Sequence, residues 1–319
     1  MALPEIGFDF RLTHWPAPFY PTQPFPLSKL AAEFDVETAR IMAWASQLAY
    51  EVGVAENEQM LRAILSGWGW DLGGLFEGEV SGFSWLKSAR GYVAGSAGTT
   101  LIAFSGTEPT QGADWLTDFD LPPDSTDGIH RGFADGVTSV WKTLAPAVAN
   151  GSRLFITGHS LGGALAAVTA FRLLQAKLVD PGQVRIVTFG MPRTGTAKFA
   201  DAYRSAGLAA RTYRLAHGLD LVPRVPPYEG IGFRHVGNLL ACVHGGSFDW
   251  ASLVADAPEQ PPEAAPGIAR FLDDRLQDWK IDPDTGAFPG GKAAAALPNL
   301  IRDHLMDGYL RALGELKGT

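Results

Sequence analysis

Residues 154–163 read Leu-Phe-Ile-Thr-Gly-His-Ser-Leu-Gly-Gly and run directly into Ala-Leu-Ala-Ala-Val-Thr-Ala-Phe-Arg-Leu-Leu. A short apolar run, a Gly-x-Ser-x-Gly pentapeptide and a helix-forming run in this order predict a strand, a sharp turn and a helix. The turn forces Ser160 into a strained backbone conformation. Gly158 and Gly162 must lack side chains for strand and helix to approach each other. The hydroxyl is then held out at the end of a sheet, and the helix that starts there aims free N–H groups and the positive end of its dipole at the same point. Such a point suits an acyl-transfer nucleophile beside a developing oxyanion. A phosphate-binding glycine loop is excluded, because no Lys-Ser/Thr pair follows the glycines.

The chain has 319 residues, 46% of them hydrophobic and 19% charged, enough to bury a large core. Its net charge of −8 and lack of any Lys/Arg run argue against a nucleic-acid partner. No apolar stretch approaches membrane-spanning length, so no transmembrane segment is expected. The N-terminus shows no basic region followed by an apolar core, and Cys242 is the only cysteine. Together these predict a cytoplasmic protein, with non-classical secretion as the alternative. Cys242 reads as an apolar residue and not as a nucleophile.

Residues 14–26 carry five prolines among aromatics, which neither a helix nor a central strand accommodates. Residues 1–34 are therefore expected to form an extended arm over the surface. Helical spacing of Ile41, Ala45, Leu48 and Ala49 behind Asp35 predicts a helix over 35–51, and a second is predicted over 57–65. Two β-rich runs within 91–104 predict an antiparallel hairpin. After it, helices over 133–148, 161–176 and 196–205 alternate with strands over 153–158, 184–189 and 211–216. Such alternation implies a mostly parallel sheet covered on both faces, with ligands beyond the carboxyl ends of its strands. A proline-rich stretch, 255–267, reads as a loop insertion in one domain spanning 1–319, and a terminal helix is predicted over 299–316.

A serine hydroxyl is a weak nucleophile until a neutral imidazole takes its proton, and that imidazole needs a carboxylate on its other nitrogen. In α/β-hydrolase sheets the chain order is Ser, then Asp or Glu, then His. Asp180 opens an Asp-Pro-Gly turn and Asp201 lies mid-helix, whereas Asp220 follows the 211–216 strand at the same sheet end as Ser160. Asp220 is the expected acid. His217 lies too close to the acid, and His159 points away from the neighbouring hydroxyl. His235, His244 and His304 remain open as the base on the residues alone.

Several segments together resemble the class 3, fungal-type triacylglycerol lipase family. They are Ile-Ala-Phe-Ser-Gly-Thr-Glu at 102–108, Asp-Trp-Leu-Thr-Asp at 114–118, Ile-His-Arg-Gly-Phe at 129–133, and Thr-Gly-His-Ser-Leu-Gly-Gly-Ala-Leu-Ala at 157–166. Thr-Phe-Gly-Met-Pro-Arg at 188–193 and Asp-Leu-Val-Pro-Arg-Val-Pro-Pro at 220–227 complete the set. The resemblance spans roughly residues 90–310. It implies an α/β-hydrolase fold, a mostly parallel sheet with an N-terminal antiparallel hairpin and helices on both faces. It also implies Ser160 as nucleophile, Asp220 as acid and His304 as base, with His235 near the acid loop and outside proton transfer. Thr107 and Leu161 would supply the oxyanion-hole N–H groups. Residues 108–121 would form a lid whose apolar side includes Trp115, Leu116, Phe119 and Leu121. Two departures stand out: Ser105 occupies a position where the family often has Arg, and the lack of fungal-type disulfides points to a bacterial member.

The activity so implied is lipase or esterase hydrolysis of acylglycerols or similar esters, with transient contact at a lipid–water interface and no cofactor. No metal site is expected, since neither His-Glu-x-x-His nor a cysteine pair occurs. The competing readings are a noncatalytic hydrolase-like binding protein and an acyltransferase using the same triad. Acyl-chain length, head group and oligomeric state are not encoded in any pattern found here.

Overall fold

The computed structural model describes residues 14–27, 34–54, 57–82, 86–106, 127–148, 153–226, 232–257 and 302–316. The strand that leads to Ser160, β4 (Arg153–His159), lies at the centre of a seven-stranded sheet. Its neighbours are β3 (Thr99–Phe104) on one side and β5 (Val184–Phe189) on the other, both parallel to it. Beyond β5 come β7 (Thr212–His217) and β9 (Asn238–Cys242), also parallel. Beyond β3 the direction alternates through β2 (Ser88–Ser96) and β1 (Asp71–Glu79). This is the α/β-hydrolase arrangement expected, with the hairpin extended by β1 into a three-stranded antiparallel meander. A separate two-stranded ribbon pairs β6 (Gly195–Thr196) with β8 (Phe233–Arg234).

Residues of β4 after Arg153 are buried throughout, because their alternating side chains serve two cores. Leu154 and Ile156 pack with α3 (Arg131–Ala147), α4 (Leu161–Gln175) and α5 (Ala197–Ser205). Phe155 faces the opposite layer, built from α1 (Val36–Leu48), α2 (Glu58–Gly67) and the short terminal α6 (Met306–Ala312). The Asp35 cap is present, its carboxylate accepting from the Thr38 backbone N–H at 2.6 Å. Asp180 caps the 3₁₀ turn Pro181–Gln183, the turn role read from its sequence context. Asp201 sits in α5 and pairs with Arg204.

Residues 14–27 do not merely wrap the surface. Trp15, Tyr20, Phe25 and Leu27 are all buried against α1 and α2. The prolines keep the backbone out of regular structure, but the aromatics between them supply enough apolar area to form the outer wall of a core. The rings of Trp15 and Tyr20 lie 6.0 and 6.1 Å from that of Trp44, so α1 is sandwiched between arm and sheet. Glu51 anchors the arm, accepting from Trp15 N–H at 2.7 Å and the Tyr20 hydroxyl at 2.9 Å.

The terminal helix also differs from expectation. Residues 302–304 form a helical turn, Leu305 adopts an extended conformation (ψ 147°), and α6 begins only at Met306. Thr107, the 108–121 lid with Trp115, Leu116 and Phe119, and most of the 255–267 insertion lie outside the described residues.

Candidate active site

Ser160 sits between β4 and α4 with φ 57° and ψ −131°, a conformation that non-glycine residues rarely adopt. The strain is held by close backbone packing. A Cβ on Gly158 would collide with the carbonyl of Gly162, and one on Gly162 would lie 2.6 Å from the carbonyl of Ser105. Ser160 N–H donates to Phe189 O at 2.8 Å, fastening the turn to β5.

Three sheet-end segments bring the remaining groups to this hydroxyl. His304 Nε2 lies 3.0 Å from Ser160 Oγ, and His304 Nδ1 lies 2.9 and 3.0 Å from the two Asp220 oxygens. A carboxylate only accepts, so Nδ1 carries the proton and Nε2 is free to take the one from serine. Asp220, 2% exposed, is fixed from both sides: Oδ1 accepts from Val222 N–H at 2.9 Å, and Oδ2 accepts from the Tyr309 hydroxyl at 2.5 Å. Burial, then the Asp220 charge, push the Tyr309 phenol well above its ordinary value, so it stays protonated and donating. Gly190, at φ 58°, makes room for this cluster, since a Cβ there would fall 2.6 Å from Asp220 Oδ2. The loop after Asp220 is pinned by the Arg193 guanidinium, which donates to the carbonyls of Arg224 and Pro226.

The other histidines are placed elsewhere. His235 is buried, with Nε2 on Pro223 O at 2.7 Å, and burial together with Arg214 and Arg193 holds it well below the usual imidazole range. His244 pairs with the Asp303 carboxylate at 2.7 Å, and His217 Nδ1 donates to Asp303 O at 3.1 Å. The geometry thus brings His304 to Ser160 and leaves His235 and His244 away from it. Cys242 is partly buried, its thiol pushed up to about 12 chiefly by burial, which leaves no thiolate for nucleophilic chemistry near neutral pH.

Leu161 is the first residue of α4, whose opening N–H groups have no partner within the helix and whose positive dipole end lies at the Ser160 turn. Arg90 of β2 donates from Nε to Ser105 Oγ at 3.2 Å. Among the described residues no group of three or more His, Cys, Asp or Glu could hold a metal ion. Tyr309, Gly190 and Arg193 were not singled out from the sequence. Tyr309 carries one visible signal, its place five residues after His304 in the terminal helix.

A strained serine at a strand–helix turn, with a histidine and an aspartate delivered by later segments of the same sheet end, defines an α/β-hydrolase. Residues 101–230 match the family model described as lipase (class 3). It is 32% identical over 152 residues to a lipase from Rhizomucor miehei, a match covering 44% of this chain and 40% of that protein. A secreted mono- and diacylglycerol lipase 1 from Fusarium solani is 33% identical over 133 residues, 38% of each chain. The solved structure of lipase II from Rhizopus niveus superposes with a TM-score of 0.56 at 26% identity, covering 73% of this chain and 87% of that one. The matched stretch thus spans less than half the length of these curated relatives.

A relative named as secreted overturns the cytoplasmic expectation, which rested on the N-terminal residues and a lone cysteine. Neither feature decides export, since relatives named as secreted match this chain. The expectation of a bacterial source finds no support among these fungal relatives. Among the described residues no helix is long and apolar enough to cross a membrane.

Proposed function

We propose that this protein is a serine carboxylic-ester hydrolase acting on acylglycerols or similar acyl esters through an acyl-enzyme on Ser160. The observation that carries the reading is the continuous path from Ser160 Oγ through His304 to the Asp220 carboxylate, with every link at 3.0 Å or less. His304 takes the serine proton as Oγ attacks the ester carbonyl, Asp220 stabilises the imidazolium so formed, and the proton then passes to the leaving alcohol. Water, deprotonated by the same imidazole, releases the acid.

The Leu161 N–H and the backbone N–H of Thr107 are assigned to the oxyanion. One such donor is worth about 3–4 kcal/mol of barrier in comparable sites. Residues 108–121 are assigned as a lid that presents Trp115, Leu116 and Phe119 to a lipid surface. The four acidic residues at 108, 114, 118 and 120 disfavour anionic interfaces. The chain is read as one domain, with residues 1–34 as its arm and 255–267 as an inserted loop.

Replacement of Ser160 by alanine tests the reading. Hydrolysis of nitrophenyl esters and labelling by a fluorophosphonate are both lost while the melting temperature is kept; retained turnover overturns it. A chain-length series of esters, run below and above the solubility limit, then reports on the lid, because a rate jump at the emulsion boundary requires an interface-dependent step. Ester formed with an added alcohol measures any transferase activity.

A further inference from the structure

The mechanism above leaves unused a buried imidazole next to the nucleophile. His159, the last residue of β4, points to the opposite side of the strand from Ser160, as alternation along a strand requires. Its Nε2 lies 2.6 Å from the backbone carbonyl oxygen of His304, and its Nδ1 lies 2.6 Å from the Tyr50 hydroxyl. The two imidazole rings are 4.5 Å apart, centre to centre, at 33°. A residue adjacent in sequence to the nucleophile thus holds the main chain of the base, 145 positions away.

We propose that His159 is a positioning residue that sets the height and tilt of the His304 ring by gripping the His304 carbonyl, and that it works only as a neutral hydrogen-bond donor. The tautomer follows from its partners. A carbonyl oxygen only accepts, so Nε2 carries the proton. Burial first, and then the neighbouring His304, hold His159 well below the usual imidazole range, so Nδ1 is unprotonated and accepts from Tyr50. Neutrality matters because the partner ring becomes an imidazolium during the reaction, and a second cation at 4.5 Å would oppose it.

The grip has a structural reason. His304 is followed at once by the Leu305 break, so α6 does not extend back through its backbone. Leu219 N–H on Asp303 Oδ2 at 2.7 Å and the His217 and His244 contacts to Asp303 anchor the residue before it. The His159 bond is made to the main chain of His304 itself, from the strand that leads into Ser160. It therefore fixes the distance between base and nucleophile directly, where an error of about 1 Å costs on the order of 100-fold in rate.

This inference rests on His304 being the base, and the test separates the two. His159→Phe keeps a ring against His304 without a donor, whereas His159→Gln places an amide N–H near the Nε2 position. On a soluble nitrophenyl ester, kcat of the phenylalanine variant falls tenfold or more with KM within twofold. The glutamine variant recovers to within about threefold of wild type, although both melt at similar temperatures. The downfield proton resonance of His304 Nδ1, which needs no turnover, exchanges faster in the phenylalanine variant and is restored in the glutamine variant. If the phenylalanine variant does not fold, His159→Met, smaller and also lacking a donor, takes its place.

Wild-type kcat in the donorless variant, or equal losses in both variants, overturns the positioning role. A wild-type protein that neither hydrolyses esters nor labels with fluorophosphonate overturns the ester-hydrolase reading instead. In that case the His304 proton still reports whether His159 holds the ring.

Discussion

Replacing Tyr309 by phenylalanine isolates one oxygen atom. Tyr309 is completely buried, so the ring keeps its packing against Phe189 and Phe248 while its hydroxyl is deleted. That hydroxyl donates to Asp220 Oδ2 at 2.5 Å and accepts from the His217 backbone N–H at 3.2 Å. A hydrogen bond to a charged acceptor contributes about 1.5–3 kcal/mol net. About 2 kcal/mol of stability is therefore expected to go. With an unfolding entropy of ~2.1 cal/mol/K per residue over 319 residues, this lowers Tm by about 3 °C.

The effect on turnover follows from what remains around Asp220. Oδ1 keeps Val222 N–H and both oxygens keep His304, but Oδ2 loses the donor that fixes the carboxylate plane. His304 is oriented through that plane, so kcat is expected to fall about tenfold, equivalent to ~1.4 kcal/mol. KM should hold within twofold, because the hydroxyl is spent on Asp220 and lies beneath the triad. Steady-state kinetics on a soluble nitrophenyl ester and a thermal melt check both halves. Unchanged kcat in a variant that melts 3 °C lower would refute the claim that Tyr309 orients the carboxylate and reduce it to a packing residue.

Separate alanine substitutions at His304 and His235 should part cleanly. The first loses ester hydrolysis by a factor of 1,000 or more; the second keeps kcat within a few-fold but loses about 2 kcal/mol or more in denaturant unfolding, since a buried ring is removed. Gly162→Ala is expected to give little folded protein, because its Cβ meets the Ser105 and Phe104 carbonyls, which belong to backbone that cannot yield; soluble expression and fluorescence melts check it. Acid should destabilise the fold through His130, His159 and His235, all held neutral chiefly by burial, with His130 lowered to about 4. The unfolded chain binds protons at these sites from about pH 6.5 downward while the native state does not, so stability is complete above that pH and is lost as pH falls toward 4. His130 alone accounts for about 3 kcal/mol across this window. Urea midpoints measured at pH 7, 6 and 5 that do not move would contradict the neutral assignments.

Much of the site could be read from local pattern because its first two members depend on local geometry. Ser160 needs glycines at fixed spacing between an apolar run and a helix, and Asp220 follows the carboxyl end of a strand. The strands missed were those with no such pattern. In β1 only Phe76 is buried and the segment contains Gly73, Gly74 and Gly78, so its strand character comes from hydrogen bonding to β2 and not from its own side chains. The five residues of β9 close the opposite edge of the sheet, too short to show a period. The proline-rich arm was misjudged for the converse reason. Proline spacing excludes regular structure but says nothing of where the intervening aromatics go.

The residues alone left His235, His244 and His304 open as partner of Ser160, for a geometrical reason that the structure makes explicit. His304 touches residues 84, 144 and 145 positions away, so no window of sequence contains its partners. An uninterrupted helix over 299–316 would also have placed His304 and Tyr309 wrongly. Five residues at 3.6 per turn separate two side chains by about 140° around the axis, so they could not converge on one carboxylate. Both do reach Asp220, at 2.9 and 2.5 Å, because Leu305 leaves the helical conformation between them. The break therefore creates the site, since it lets His304 and, from α6, Tyr309 meet on the same carboxylate.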